Sequence, residues 1–172
     1  MRVILFRHGP AGKRDPNRWP DDGERPVSRK GLQRTARAAA GLRRFLGRAG
    51  RVATSPLLRA RQTADLLGKA MAPEVPVEIL EALAPGAAHR EALRWLRGLE
   101  SGATVVLVGH EPHLGNLAGV LLFGAPAASL AIKKAGAVVI DFVGKVEPGT
   151  GRLYAFLPPR ILRELARPRV GA

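Results

Sequence analysis

Three short segments carry side chains suited to one chemistry. Arg7-His8-Gly9 closes the first apolar run, Ser55-Pro56-Leu57-Leu58-Arg59 follows a second, and Gly109-His110-Glu111-Pro112-His113 follows the most apolar run of all. An imidazole is a competent nucleophile toward phosphorus, and a guanidinium presents a planar fork that matches phosphoryl oxygens. Taken singly, each segment has a bland reading: a hydrogen-bonded histidine and a solvated arginine at the end of a strand. Taken together they mean more. Arg7, His8, Arg59 and His110 on one sheet edge would repel one another unless an anion sat among them, and the core is a poor home for arginine without a carboxylate.

The elements between these segments alternate in type. Val3-Ile4-Leu5-Phe6 reads as a buried strand, and so do Arg51-Val52-Ala53-Thr54 and Thr104-Val105-Val106-Leu107-Val108-Gly109, the last apolar enough to be central. Val75 to Leu80 reads as a further short strand. Ser28 is a candidate N-cap for a helix whose apolar positions include Leu32, Ala36, Ala39, Leu42 and Leu46, leaving Arg34, Arg37, Arg43 and Arg44 mostly on a solvated face. Ser55 as cap and Pro56 as first residue predict a helix to about Ala70, with Arg59 in its first turn and Arg61 on another face. Ala87 to Leu99 and the segment after His113 are also helical in pattern. Ala137 to Val143 and Arg152 to Leu157 flank Glu147-Pro148-Gly149-Thr150-Gly151, a hairpin signal, and a short basic helix around Ile161, Leu162 and Leu165 follows. The expectation is a three-layer α/β/α sandwich built on a mostly parallel mixed sheet, with an antiparallel hairpin near the C-terminus. In such sheets ligands collect at the carboxyl ends of the strands, where all three segments fall.

Pro10 to Ser28 is the longest irregular stretch, with prolines at 10, 16, 20 and 26 and the turn signal Asp21-Asp22-Gly23. A loop of that length in a compact domain is usually functional or mobile. Other polar candidates have structural readings: His113 at a helix start, His89 on a polar surface, Lys133 and Lys134 as a solvated pair, Ser55 as a cap. Asn116, one turn past His110, faces the same edge. His110-Glu111-Pro112-His113 lacks the spacing of a zinc-binding helix.

Composition sets the frame. The 172 residues are 46% hydrophobic and 24% charged, which predicts one globular domain over 1–172 with a substantial core. The absence of cysteine rules out disulfides, a thiol nucleophile and thiolate–metal ligation. No run approaches a membrane span or a signal peptide, so a cytoplasmic protein with no membrane partner is expected. The formal charge of +14 favours anionic partners, but the basic residues are dispersed and aromatics make up only 5%, so no specific nucleic-acid partner is expected.

Arg7-His8-Gly9, the stretch from Ser55 to Ala64 and Gly109-His110 occur in order and at intervals that resemble the three signatures of the histidine phosphatase (phosphoglycerate mutase-like) superfamily. The short length, Leu83-Ala84-Pro85 and the Val108-Gly109-His110-Glu111-Pro112 loop are most similar to SixA-type phosphohistidine phosphatases. The resemblance covers Arg2 to about Val143. It implies that His8 attacks phosphorus and becomes a transient phosphohistidine, while Arg7, Arg59 and a protonated His110 bind the phosphoryl oxygens. It implies no metal and no cofactor. Many relatives carry an acidic proton donor after the third strand. Glu81 stands near that place, where a capping or solvated role competes with the catalytic one. The expected substrate is phosphorylated, a phosphohistidine-bearing signalling protein being the leading candidate. A small-molecule phosphomonoesterase or mutase, and a non-catalytic phosphate- or nucleic-acid-binding module, are the alternatives.

Overall fold

A computed structural model describes residues 1–127 and 129–168; the remaining four C-terminal residues of the expected 1–172 domain lie outside the described residues. Six strands form one sheet: β1 (Arg2–Arg7), β2 (Arg51–Thr54), β3 (Glu78–Ile79), β4 (Thr104–Gly109), β5 (Ala137–Asp141) and β6 (Arg152–Leu157). Their spatial order is β3-β2-β4-β1-β5-β6. The first four are mutually parallel, while β5 runs antiparallel to β1 and β6 antiparallel to β5. This is the mixed α/β sheet expected from the alternation of elements.

Alternation along the strands builds two cores at once. Val3, Leu5, Val105, Leu107, Val138 and Ile140 point to one face, where α3 (His89–Arg97) and α4 (His113–Phe123) supply Leu93, Leu96, Leu114, Leu117 and Leu121. Ile4, Phe6, Val106, Val108, Ala137 and Val139 point to the other, against Ala38, Leu42, Ala64, Leu67 and Leu162 of α1 (Arg29–Leu46), α2 (Leu58–Met71) and α5 (Pro159–Leu165). Each fully buried leucine or isoleucine contributes about 1.5–3 kcal/mol relative to exposure. The central strands are apolar throughout because both of their faces are covered.

Several boundaries differ from the sequence expectation, each for a local reason. Ser28 does cap α1, its hydroxyl accepting from the Gly31 amide at 3.1 Å. The third strand shrinks from an expected Val75–Leu80 to Glu78–Ile79, since only those residues reach β2 at the sheet edge. Ser55 does not cap α2: the N-cap is Leu57, and the serine is fully buried beneath the site. The long stretch after β1 folds back on itself through an Ala11–Val27 bridge and a 3-10 turn at Asp22–Glu24, capped by Asp21. Among the described residues no helix is long and apolar enough to cross a membrane.

Candidate active site

Chain order and spatial order differ in the way the site needs. β4 inserts between β2 and β1, so the residues just past the ends of these three strands become neighbours. His110 accordingly has Ser55 on one side and His8 on the other. Its Nε2 lies 2.8 Å from Ser55 Oγ, and its ring centroid lies 5.0 Å from that of His8. Segments about a hundred positions apart in sequence form one cluster.

His8 is held in a defined tautomer. Its Nδ1 is 2.7 Å from the Gly9 carbonyl oxygen, which only accepts, so Nδ1 carries the hydrogen and Nε2 is left with a free lone pair. The side chain is 6% exposed, and burial, reinforced by the positive charges of Arg59, Arg7 and Lys134, pushes its pKa down to about 4 against the Gly9 hydrogen bond. A neutral imidazole with one exposed lone pair is what a nucleophile at neutral pH requires. The backbone here is tightly enclosed: the Gly9 amide donates to Thr63 Oγ1 at 2.9 Å, and a Cβ on Gly9 would lie 2.3 Å from Thr35 Oγ1.

His110 is neutral as well. Burial first, then His8, Arg59, His113 and Arg7, lower its pKa to about 3. Ser55 Oγ also accepts the Leu57 amide at 3.4 Å, and its remaining lone pair and its hydrogen let it serve His110 Nε2 in either tautomer of the ring. His110 Nδ1 is buried and has no partner among the described residues. A phosphoryl dianion beside the ring would raise its pKa and favour the imidazolium expected from sequence.

The two arginines are gripped from behind. Arg59, 6% exposed, donates from Nη1 to the Asp22 carbonyl oxygen at 2.7 Å, and its Nη2 lies 3.3 Å from the Asp22 carboxylate. Arg25 binds the same carboxylate through Nε at 2.7 Å and ties it to the loop through the Gly12 carbonyl, also at 2.7 Å. Asp22 is consequently more acidic than an ordinary aspartate, chiefly through its hydrogen bond from Arg25. Arg7 donates from Nη1 to the Ile132 carbonyl oxygen at 2.8 Å. The Nε atoms of Arg7 and Arg59, like Nδ1 of His110, are buried without a partner. Two buried arginine N–H donors and an imidazole nitrogen left without partners beside His8 are costly unless a ligand engages them, and a tetrahedral oxyanion meets that need.

Of the sequence candidates, the structure gathers Arg7, His8, Arg59 and His110. Glu81 sits at the start of a 3-10 turn past β3, exposed, with no side-chain hydrogen bond among the described residues. His113 is buried and stacks on His89 with centroids 4.5 Å apart, so His89 is a packed residue rather than the free surface group expected. Asn116 lines a neighbouring pocket of about 250 Å³ with His89, Glu111 and His113. Lys134 is exposed, as expected, but close enough to the cluster that its charge helps lower the pKa of His8, and burial together with Arg7, Arg25 and Arg59 lowers its own pKa. Sequence reading missed Asp22, Arg25 and Glu111. Asp22 lay inside a turn signal, and nothing in its spacing marked it as the partner of Arg59.

The cluster is a candidate oxyanion site at the carboxyl ends of parallel strands in an α/β sheet. The model of the histidine phosphatase superfamily (branch 1) matches residues 3–85. An uncharacterized protein of Picosynechococcus is 39% identical over 140 residues, covering 80% of this chain and 83% of the relative. The structure of the protein histidine phosphatase SixA complexed with tungstate is 25% identical, with a TM-score of 0.80 over 94% of this chain and 99% of that one. SixA from Agrobacterium tumefaciens, at 23% identity, shares the fold with a TM-score of 0.72 over 92% and 97% of the two chains. The chain belongs to the histidine phosphatase superfamily.

Proposed function

We propose that this protein is a phosphatase that removes the phosphoryl group from phosphohistidine on a protein, through a covalent intermediate on His8. The observation that carries the reading is the pairing of a free His8 Nε2 with three unpartnered buried nitrogens, Arg7 Nε, Arg59 Nε and His110 Nδ1. Nε2 attacks phosphorus in line, the P–N bond to the leaving imidazole breaks, and its electron pair returns to that ring. Arg7 and Arg59 take the phosphoryl oxygens, and His110 gains its proton as the dianion enters. Water then attacks the phosphoryl group on His8, releasing phosphate and the free imidazole.

Carboxylate placement supports phosphohistidine over an ester. Asp22 is engaged by two arginines, and Glu111 accepts the Ile132 amide at 2.9 Å, so neither is free to donate a proton. A phosphohistidine protonated on its other ring nitrogen leaves as neutral imidazole and needs no donor from the enzyme, whereas an alkoxide does. Glu81 is the candidate donor for ester substrates alone. SixA, the structural relative with bound tungstate, supports both an oxyanion site and a protein substrate.

The test compares a phosphohistidine-bearing protein with an aryl and an alkyl phosphate. His8→Ala is expected to abolish turnover of all of them. Glu81→Gln is expected to slow alkyl phosphate hydrolysis by about tenfold or more while sparing phosphohistidine. Preference for alkyl phosphates over phosphohistidine would overturn the substrate assignment, and activity in His8→Ala would overturn the nucleophile.

A further inference from the structure

Glu111 directly follows His110, yet its carboxylate turns away from the imidazole cluster and into the segment that precedes β5. Oε1 accepts the Ile132 amide at 2.9 Å, and Oε2 lies against Gly115 in the first turn of α4. The opposite side of Ile132 is used as well: its carbonyl oxygen accepts Arg7 Nη1 at 2.8 Å. Ile132 itself is 1% exposed and packed in the core. One backbone residue is thus clamped between a carboxylate on its amide and a catalytic guanidinium on its carbonyl.

The surrounding chain is fitted to this clamp. A Cβ on Gly115 would lie 2.8 Å from Glu111 Oε2 and 2.9 Å from the Leu130 carbonyl oxygen, so a glycine is needed for the three strands of contact to close up. Just past Ile132, the Ala135 amide reaches the carbonyl oxygens of Arg7 and His8 at 3.1 and 3.2 Å, and the Arg7 amide donates to Gly136 at 3.1 Å. Residues 132–136 therefore form one wall of the site, with Glu111 as the side chain that pins the start of that wall. Burial raises the carboxyl pKa of Glu111, while Ile132, Arg7 and Gly115 oppose the rise.

We propose that Glu111 is a positioning residue for the reaction: through the Ile132 backbone it fixes the Arg7 guanidinium so that the unpartnered Nε faces the phosphoryl oxygens. An arginine free to turn would still be charged, but it would lose the fixed fork from which its oxyanion selectivity comes. Glu111 touches neither substrate nor nucleophile. Its effect runs entirely through Arg7, and that sets its signature apart from a general loss of packing.

A double-mutant cycle on the intact chain, read by tungstate affinity and by kcat and KM on an aryl phosphate, tests this. Glu111→Ala is expected to weaken tungstate binding and lower kcat/KM by roughly 10- to 100-fold, as loosening an outer residue that orients a ligand group commonly does. Arg7→Ala alone is expected to lose at least as much. In the Arg7→Ala background, Glu111→Ala should then change tungstate affinity by less than about twofold. Glu111→Gln keeps the shape and the acceptor toward Ile132, and should fall between wild type and alanine; it serves as the variant of record if the alanine fails to fold. Equal losses from Glu111→Ala (or Gln) with and without Arg7, or unchanged tungstate affinity in the single variant, would overturn the proposal. Neither result bears on which phosphorylated substrate the protein uses.

Discussion

Burial does two jobs for the histidines of this site: it favours their uncharged forms, and it keeps His110 Nδ1 from water while no protein group among the described residues pairs with it. His8 and His110 hold pKa values of about 4 and about 3, below the ordinary imidazole value. A titration of the ring resonances by NMR should place both midpoints well below 6 in the empty protein, with that of His110 rising on addition of tungstate; a His8 midpoint near 6.5 would contradict the account. The sign for stability follows from the same direction of shift. Between about pH 6.5 and pH 4 the unfolded chain binds more protons at His8 than the folded one, so stability is full above that window and falls as the pH drops through it. The loss from His8 alone is on the order of 3 kcal/mol by the acid end. Denaturant midpoints measured across that window should slope in the wild type and slope less steeply in His8→Asn, the remaining slope coming from His110.

At the scale of elements, the close approach of α5 to α1 rests on Gly41, where a Cβ would lie 1.8 Å from the Leu162 carbonyl oxygen. Gly41→Ala is therefore expected to destabilise the fold by about 1–3 kcal/mol or more in chemical denaturation, with a far smaller effect on kcat/KM of the folded protein. Elements with a strong internal pattern were legible from sequence: β2, β4 and β6 end where the alternation and flanking turns place them, and Ser28 caps α1 as its side chain predicts. Arg7, His8 and His110 were legible only in combination: each alone has a structural reading, and their convergence with Arg59 at the ends of parallel strands is what pointed to one site. Contacts made by the loops were not legible. Ser55 has every mark of an N-cap, yet its hydroxyl serves His110, because β4 inserts beside β2 and brings the imidazole within 2.8 Å. Asp22 and Glu111 act on residues 37 and 21 positions away, distances over which no local periodicity carries information.

For the molecule as a whole, a formal charge of +14 surrounds a site that is itself cationic. Long-range attraction should speed the encounter with phosphorylated substrates, so kcat/KM is expected to fall several-fold between about 20 and 200 mM salt while kcat stays constant. Salt-independent kcat/KM would mean that the charge serves no steering role. The chemistry itself depends on three strand ends acting as one cavity with His8 at its centre. Rapid acid-free quenching of a reaction with radiolabelled phosphoryl donor, followed by peptide mapping, tests that most directly. An alkali-stable, acid-labile label on His8 that forms and decays at the rate of turnover is the expected result. Turnover with no label on His8, or a label carried by another residue, would contradict it.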